Sequence, residues 1–422
     1  MNTELVEKSE FKRSRFGMIP KSWDEKSIGT FTKTSSGGTP KRDNKAFYKD
    51  GNINWFKTGE LVSKYLFESE EKITEEAVKK SSAKLFPKET LLVAMYGATI
   101  GKLSILKEES ATNQACCAIL PNENYNTEYL YYQLSFLKNK LIRRGAGGAQ
   151  PNISQDIVKT FPVPFPKKAE QEKIASILST WDKAIELKEK LIEQKKKQKK
   201  GLMQKLLTGE VRLPSFDKEW KEVKLAELGE CIRGVSYKPE DLYLEDNNNS
   251  IRLLRSNNIL GNTLVIKDIQ FVDKSKVKKK QLLKKTDVVI SMANGSKKLV
   301  GKNGVFNSKS NYFYTVGAFC AIFRFNQKSS ANFAKFLFQT NKYNYYVQNL
   351  LAGSNINNLK PSDIESMKFF IPTEIQEQNE IAKVLDSASN EINVLEKELE
   401  ALKQQKKGLM QLLLTGKVRV KV

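Results

Sequence analysis

The stretch QKKGLMQKLLTGEVR (Gln198–Arg212) returns almost unchanged near the end of the chain as QKKGLMQLLLTGKVR (Gln405–Arg419). Thirteen of the fifteen positions are identical, and the two copies are 207 residues apart. The same offset relates further identical pairs upstream, namely Glu170 and Glu377, Gln171 and Gln378, Ile174 and Ile381, Ala175 and Ala382, and Leu178 and Leu385. The chain therefore consists of two copies of one unit, which is the signature of an internal duplication.

Each copy ends in a segment with the period of a coiled coil. Apolar residues recur at alternating spacings of four and three, and this seam predicts a long helix that packs against another helix. The seam of the second copy is Ile381, Leu385, Ala388, Ile392, Leu395, Leu399, Leu402, Lys406, Leu409 and Leu413. The seam of the first copy is Ile174, Leu178, Trp181, Ile185, Lys188, Ile192, Lys195, Lys199, Leu202 and Leu206. Each helix is expected to end at a Thr-Gly pair, because glycine suits the C-terminal cap.

The connectivity predicts how the two helices pair. The first helix ends where the second globular part begins, and the second helix starts where that same part ends. The second helix can therefore run back along the first, which gives an antiparallel pair, a globular head near each end and an approximate two-fold axis between them. We expect the first head at residues 1–165, its helix at 166–208, the second head at 209–372 and its helix at 373–422.

The heads have the pattern of mixed α and β structure, so the predicted fold class is α+β. Short β-rich runs are separated by Gly, Pro and Asn, and each head closes with a helix rich in aromatic residues. In the first head these elements are Ile53–Lys57, Thr90–Tyr96, Lys102–Leu106, Ala115–Leu120 and a helix over Thr127–Arg143. In the second they are Ile251–Arg255, Asp287–Met292, Ala318–Phe325 and a helix near Ala331–Leu351.

The composition points to a polyanionic partner. Lys and Arg number 71 against 48 Asp and Glu, a formal net charge of +23, and nucleic acid would relieve the resulting self-repulsion. The chain has no histidine, the usual general base and the commonest metal ligand, so catalysis is not expected. No run is apolar enough for a membrane span or a signal peptide. The cysteines (Cys116, Cys117, Cys231 and Cys320) form no C-x-x-C pair, and we expect a cytoplasmic protein.

The sequence contains two possible motifs for nucleotide binding and two for nuclease chemistry, and each of them has a simpler explanation. GATIGKL (Gly97–Leu103) and GSKKLVGKN (Gly295–Asn303) have the wrong spacing and the wrong residue after lysine for a phosphate-binding loop, so we interpret both as turns between strands. The triplets Glu70–Lys72 and Glu219–Lys221 match the loose E-x-K end of an acidic nuclease centre, but such triplets arise by chance in a highly charged chain. The sequence predicts no catalytic residue and no metal site, with a self-sufficient nuclease as an open alternative.

The loops of both heads combine Gly, polar and basic residues, which suits contacts to DNA backbone and base edges. An ordinary turn is an equally good interpretation of any single loop. Candidates in the first head are Ser36, Gly37, Gly38, Thr39, Lys41, Arg42, Lys57, Thr58, Tyr96, Thr99, Lys102, Arg143, Arg144, Gln150 and Asn152. Candidates in the second head are Arg233, Ser236, Tyr237, Lys238, Arg255, Asn257, Asn258, Asn294, Lys297, Lys298, Ser354, Asn355 and Asn357.

These motifs together resemble the specificity (S) subunits of type I restriction–modification systems. The resemblance covers essentially the whole chain, and it rests first on KKGLMQKLLTGEVRLP and KKGLMQLLLTGKVRV, which close the two halves. Four further motifs agree with it, namely FGMIPKSW (Phe16–Trp23), SGGTP (Ser36–Pro40), ATNQA (Ala111–Ala115) and PKKAEQEKIASIL (Pro166–Leu178). The second head departs from the pattern, because it has Arg233–Lys238 in place of SGGTP and no NQA motif.

The resemblance implies that each head is a target recognition domain, which reads one half of a split double-stranded DNA site in the major groove. The helices would fix the spacing of the halves, because each added base pair moves the second half by about 3.4 Å along the axis. Two methylase (M) subunits would dock with S-adenosylmethionine, and restriction (R) subunits, joined through the methylase core, would bring ATP and Mg. This chain would be non-catalytic. The alternative is a free-standing architectural or regulatory protein that binds double-stranded DNA.

Overall fold

The structure is a computed structural model, and it describes residues 3–5, 10–145, 152–308, 310–353 and 357–422. The chain forms two compact units, unit 1 with Met1–Glu189 and Lys397–Val422, and unit 2 with Lys190–Glu396. Each unit therefore contains one head and a part of each long helix. Within the described residues, no helix has the length and apolar character needed to cross a membrane.

The strands and helices are numbered in chain order. The strands up to residue 165 are β1 (Thr3–Leu5), β2 (Phe11–Ser14), β3 (Gly17–Pro20), β4 (Asp24–Ser27), β5 (Thr34–Ser36), β6 (Ile53–Phe56), β7 (Tyr65–Leu66), β8 (Lys72–Ile73), β9 (Leu85–Phe86), β10 (Leu91–Ala94), β11 (Leu103–Leu106), β12 (Ser110–Thr112), β13 (Cys116–Ile119) and β14 (Pro162–Phe165). The later strands are β15 (Trp220–Lys224), β16 (Gly229–Arg233), β17 (Leu242–Tyr243), β18 (Ser250–Leu254), β19 (Ile259–Leu260), β20 (Asn262–Leu264), β21 (Gln270–Asp273), β22 (Val288–Ser291), β23 (Asn303–Val305), β24 (Tyr314–Val316), β25 (Cys320–Phe325), β26 (Lys368–Pro372) and β27 (Val418–Val420). The helices are α1 (Ile28–Phe31), α2 (Glu75–Lys80), α3 (Thr127–Arg144), α4 (Gln155–Thr160), α5 (Lys168–Thr208), α6 (Leu225–Leu228), α7 (Ala331–Ala334), α8 (Asn341–Ala352), α9 (Pro361–Glu365) and α10 (Ile375–Leu414).

The first head is built on a five-stranded sheet in the order β5-β13-β10-β11-β7, beside a four-stranded sheet in the order β8-β6-β12-β9. The runs LLVA of β10 and CCAI of β13 are buried along their whole length, because successive side chains point to opposite covered faces. Leu91 and Val93 pack with α3, whereas Leu92 and Ala94 pack with residues of the four-stranded sheet such as Phe56. The central strands are therefore covered on both faces.

The second head repeats this topology in spite of its different sequence. Its larger sheet has the order β16-β25-β22-β23-β20-β19, and its smaller sheet has the order β17-β21-β18-β24. The parallel pairing of β18 with β24 matches that of β6 with β12, and the parallel pairing of β20 with β23 matches that of β7 with β11. Val288 and Ile290 pack with α7 and α8, while Val289 faces the smaller sheet. The two heads thus share one frame, as the duplication predicts.

The predicted strands are confirmed, most of them with slightly shorter bounds and Ile251–Arg255 shifted by one residue to Ser250–Leu254, and the helix over Thr127–Arg143 is confirmed as α3. The single helix predicted near Ala331–Leu351 is wrong, because this region forms α7, a 3₁₀ turn over Leu337–Gln339 and then α8. The Thr340 hydroxyl accepts a hydrogen bond from the Tyr343 amide at 3.2 Å and caps a new helix. The Asn303 side chain also donates to the Phe338 carbonyl at 2.7 Å, which removes that carbonyl from a continuous helix.

Both long helices are confirmed, and every predicted seam position is buried or half-buried. Three of the four seam lysines are paired with acids of the other helix, and the fourth, Lys199, lies over the Phe336 ring. In unit 1, Lys188 lies 2.8 Å from Glu398, and Lys406 pairs with Asp182. In unit 2, Lys195 lies 2.6 Å from Glu391. Because the residue number rises along one helix as it falls along the other, the helix segments within unit 1 are antiparallel.

One buried carboxylate in each unit connects the head to both long helices. In unit 1, Glu170 at the start of α5 accepts from the Trp23 indole at 3.0 Å and from Arg419, beyond α10, at 2.7 and 2.9 Å. In unit 2, Glu377 at the start of α10 accepts from the Trp220 indole at 3.2 Å and from Arg212, beyond α5, at 2.9 and 2.8 Å. We call each set a Trp–Glu–Arg triad.

The neighbouring glutamine reinforces each triad. Gln171 donates to the Pro166 carbonyl at 2.9 Å and accepts from the Asn126 amide ahead of α3 at 2.9 Å. Gln378 does the same in unit 2, where it donates to the Pro372 carbonyl at 2.9 Å and accepts from the Ser330 amide at 2.8 Å. The residues identical at the 207-residue offset therefore include those that fasten each head to its helix, namely Glu170, Gln171 and Arg212 with their counterparts Glu377, Gln378 and Arg419.

The cysteines are free and buried, and Cys116 and Cys117 lie on β13, as a strand interpretation predicts. Burial raises the pKa of each of the four thiols to about 12, so that they stay protonated near neutral pH.

We predict that Glu377→Ala lowers the free energy of unfolding by about 3–5 kcal/mol, because it leaves the guanidinium of Arg212 and the Trp220 indole without their buried partner. The matched control is Glu75→Ala, which removes an exposed i,i+4 pair with Lys79 and should change stability by less than about 0.5 kcal/mol. Urea unfolding followed by circular dichroism measures both. Equal, small effects of the two substitutions would contradict the role given to the triad.

Two glycines, one within α5 and one directly after it, should respond in opposite directions to substitution by alanine. Gly201 lies in the helix with open space around an added Cβ, so that Gly201→Ala should stabilise by about 1 kcal/mol. Gly209 follows the helix with φ +76°, and an added Cβ would meet the Trp220 ring at 3.4 Å. Gly209→Ala should therefore destabilise by about 1 kcal/mol or more. Thermal unfolding of the two variants side by side checks the signs; a stabilised Gly209→Ala variant would be inconsistent with this cap.

Candidate nucleic-acid interface

The predicted loops of the first head meet at one edge of its larger sheet. β5 and β10 end where β13 and β11 begin, and their register pairs Ser36 with Cys117 and Ala94 with Cys116. We call residues 36–42, 57–59, 95–102, 113–115 and the described part of 143–154 the loop edge of the first head. The antiparallel register is the reason that distant segments of the sequence come together there.

Five backbone hydrogen bonds tie the loop edge of the first head together. They run from Gly37 N to Cys116 O (3.2 Å), Gly38 N to Thr112 O (2.9 Å), Asn113 N to Phe56 O (3.0 Å), Met95 N to Ala115 O (2.9 Å) and Ile153 N to Met95 O (2.7 Å). The SGGTP and ATNQA motifs are therefore neighbours in space, and the positions of their side chains are fixed by the sheet.

The second head has the same edge, which consists of residues 233–238, 255–258, 292–302, 317–319 and 357–359. Five equivalent bonds hold it, from Gly234 N to Cys320 O (2.9 Å), Val235 N to Val316 O (2.7 Å), Gly317 N to Leu254 O (3.0 Å), Met292 N to Phe319 O (2.8 Å) and Leu359 N to Met292 O (2.8 Å). Arg233–Lys238 thus occupies the place of SGGTP, although the two sequences differ. Gly317–Phe319 occupies the place of Asn113–Ala115.

The Gly-Lys motifs lie at these edges as turns. Gly97–Leu103 connects β10 to β11, and Gly295–Asn303 connects β22 to β23, both between antiparallel strands. Gly101 and Gly301 have φ of +71° and +80°, which a residue with a side chain adopts only with strain. The interpretation of both motifs as turns is confirmed.

Two of the basic candidates at the first edge form ion pairs with an acidic residue of the same head. Arg42 lies 2.8 Å from Glu71 and stacks over the Tyr48 and Trp55 rings, each 4.9 Å from the guanidinium. Lys57 lies 3.6 Å from Glu71. A guanidinium that is oriented in advance loses less conformational freedom when it binds a phosphate or a base.

The other first-head candidates divide by exposure. Lys41, Tyr96, Arg143, Arg144 and Asn152 are exposed, while Ser36, Thr39, Thr58, Thr99 and Lys102 are half-buried. Gly37 and Gly38 lie close to backbone atoms of their own chain, since added Cβ atoms would lie 2.3 Å from the Thr112 carbonyl oxygen and 2.0 Å from the Ser82 carbonyl oxygen. Their close approach is therefore to the head itself. Gln150 lies outside the described residues.

In the second head, Arg233, Ser236, Lys238, Asn257, Lys297 and Lys298 are exposed, and Tyr237, Arg255, Asn294 and Asn357 are half-buried. Asn258 is a correction to the predicted contacts, because its side chain is buried. It accepts from the Arg255 amide at 2.9 Å and donates to the Val265 and Lys267 carbonyls at 3.0 and 2.7 Å. Its amide is thus committed to holding the loop. Ser354 and Asn355 lie outside the described residues.

Polar atoms with unused capacity are concentrated at the loop edges. Among the described residues, seven buried side-chain polar atoms lack a hydrogen-bond partner. Two of them, Asn113 Oδ1 and Arg255 Nε, lie within the loop edges, and two more, Thr112 Oγ1 and Ser291 Oγ, belong to residues that directly precede an edge segment. Buried side-chain atoms of this kind are uncommon in folded proteins. No group of three or more metal-ligating side chains is found in the described part of the chain.

Two side chains at the edges were not predicted from the sequence. Gln114 is exposed and accepts a hydrogen bond from the Thr39 hydroxyl. The ATNQA motif, which contains Gln114, is the signal that could have identified it. Phe319 is exposed at the equivalent turn of the second head. No motif marks Phe319, because its position is defined only by the pairing of β24 and β25 with their neighbours.

Comparison with known proteins agrees with this architecture. The family model of the type I restriction modification DNA specificity domain matches residues 20–196 and again residues 217–404. The chain is 26% identical to the MjaVIII specificity subunit of Methanocaldococcus jannaschii, over 99% of this chain and 98% of that one. It is 32% identical to the EcoKI specificity subunit of Escherichia coli strain K12, over 48% of this chain and 43% of that one.

Two solved structures share the fold. The S subunit of a type I system from M. genitalium superimposes with a TM-score of 0.58 at 17% identity, over 96% of this chain and 98% of that one. A chain solved for complex assembly and conformational transition of the type I R-M system gives a TM-score of 0.60 at 16% identity, over 94% and 99% of the two chains. With the family model covering both halves, the chain belongs to the family of type I restriction–modification DNA specificity subunits, and its heads are two tandem target recognition domains.

Proposed function

We propose that each head reads one half of a split double-stranded DNA site through its loop edge, and that this chain supplies sequence recognition without catalysis. The observation that carries the proposal is the pair of loop edges, built by the same five backbone hydrogen bonds but with different exposed side chains. Two heads with the same backbone frame but different exposed side chains are suited to reading two different DNA sequences. The net charge of +23 supports a DNA partner.

The chemistry is proposed to belong to partner subunits. The relatives are named as specificity subunits of type I restriction enzymes, and one structural neighbour was solved to explain complex assembly of the type I R-M system. We propose that two methylase subunits bind this chain and bring S-adenosylmethionine, and that restriction subunits join through the methylase core with ATP and Mg. The absence of histidine from the sequence fits a recognition subunit better than an acid–base catalyst. A cytoplasmic location is part of the same proposal.

Exposed edge lysines should set affinity without setting sequence. We predict that Lys298→Ala, in the complex with methylase, weakens binding to all duplexes by a similar factor and lowers the slope of log affinity against log salt by about 1. Lys221→Ala is the matched control, since Lys221 is exposed on β15 and outside the loop edge. Fluorescence anisotropy over a salt series measures both variants. An unchanged slope for Lys298→Ala, or an equal change for the control, would show that the loop edge does not contact DNA.

The division of labour between heads is tested by mapping methylated adenines in cells that express the chain with its methylase. We predict that the triple variant Arg233→Ala, Ser236→Ala, Lys238→Ala relaxes only one half of the methylated motif. The matched triple variant Thr39→Ala, Lys41→Ala, Arg42→Ala, which again removes one hydroxyl, one lysine and one arginine, should relax only the other half. If the wild-type chain ignores the methylase and binds DNA without sequence preference, the free-standing architectural protein becomes the better interpretation.

A further inference from the structure

Each loop edge exposes a large aromatic side chain among polar and basic residues. In the first head it is Tyr96, with 39% of its surface exposed, and in the second it is Phe319, with 72% exposed. Single exposed apolar residues are ordinary on protein surfaces, so exposure alone does not mark a site. These two rings are distinguished by where the fold places them.

The two rings stand at neighbouring backbone positions of the frame that the heads share. Each head has a ring at one of these positions and an alanine at the other. The hydrogen bond from Met95 N to Ala115 O is equivalent to that from Met292 N to Phe319 O, so that Phe319 stands where the first head has Ala115. Tyr96 follows Met95 and is therefore equivalent to Ala293, which follows Met292. One head pairs Tyr with Ala, and the other pairs Ala with Phe, across the same backbone contact. Either arrangement places one ring on one of two neighbouring backbone positions of the edge, with alanine at the other.

The backbone holds Phe319 in a defined position. The Phe319 carbonyl accepts from the Met292 amide at 2.8 Å and from the Ala293 amide at 3.2 Å, and the Cys320 amide donates to the Gly317 carbonyl at 2.8 Å. These bonds fix the backbone at Phe319, and a phenylalanine side chain has only two rotatable bonds, so that it loses little conformational freedom on binding. The same edge presents the exposed Lys298 for phosphate contacts.

We propose that Tyr96 and Phe319 are specificity-determining residues, and that each makes an apolar contact with the 5-methyl group of a thymine in its own half-site. Thymine presents this methyl group in the major groove, where it distinguishes thymine from the other bases by apolar contact. This inference rests on the proposed function and adds to it the chemistry that one residue of each head reads.

Deoxyuridine tests the contact, because it differs from thymidine only by the missing methyl group. Each thymine of the mapped motif is replaced in turn, and binding of the wild-type chain with methylase is measured. One position of the second half should weaken binding by about four-fold, the factor expected for one buried carbon group. The Phe319→Ala complex should bind the normal duplex about ten-fold more weakly, because the buried surface of the ring is lost together with that of the methyl group, and should be insensitive to deoxyuridine at that position.

Matched variants separate the contact from general effects. Phe313→Ala removes a ring that is 66% exposed in the segment before β24, at the other end of that strand, and should respond to deoxyuridine as the wild type does. Tyr96→Phe should keep the first-half response and Tyr96→Ala should lose it. A wild-type complex that reads a split motif but is indifferent to every deoxyuridine, or a Phe319→Ala complex with an undiminished response, overturns this inference alone. A wild-type complex with no sequence preference overturns the proposed function itself.

Discussion

The buried carboxylates of Glu170 and Glu377 are the contacts on which the architecture depends. Each accepts hydrogen bonds from a tryptophan of its own head and from an arginine that follows the other copy's long helix. A carboxylate taken out of water is strongly destabilising unless such partners are present, so that head, helix start and helix end must assemble together. This requirement explains why sequence identity between the copies is concentrated at the helix ends and is low in the heads.

A rigid frame allows the loop edges to vary. The five backbone hydrogen bonds of each edge use no side-chain atoms, and they are made equally well by Gly37 or Gly234 and by Ala115 or Phe319. Side chains at the edge can therefore change without loss of the turn that carries them, provided that the glycines with positive φ, such as Gly101 and Gly301, are kept. Such a frame can present different recognition surfaces at little risk to folding.

The sequence predicted the helices well, because a seam of fixed period and a glycine cap are local signals. Every seam position from Ile174 to Leu206 and from Ile381 to Leu413 is buried or half-buried. The equivalent loops of the two heads could not be matched from the sequence. The equivalence of Arg233–Lys238 with SGGTP is defined by pairing between strands that are far apart in the chain. Asn258 shows the same limit: a loop asparagine has the composition of a base reader, and only the fold shows its amide bonded inward.

The central claim is that each head reads its own half of one site. It is tested most directly by a thermodynamic cycle on the mapped motif, with a loop-edge variant of each head against duplexes in which either half is scrambled. We expect a variant of the first head to lose its response to scrambling of one half and to keep its full response to the other, with the reverse for the second head. A variant whose responses to the two halves fall equally would contradict the claim.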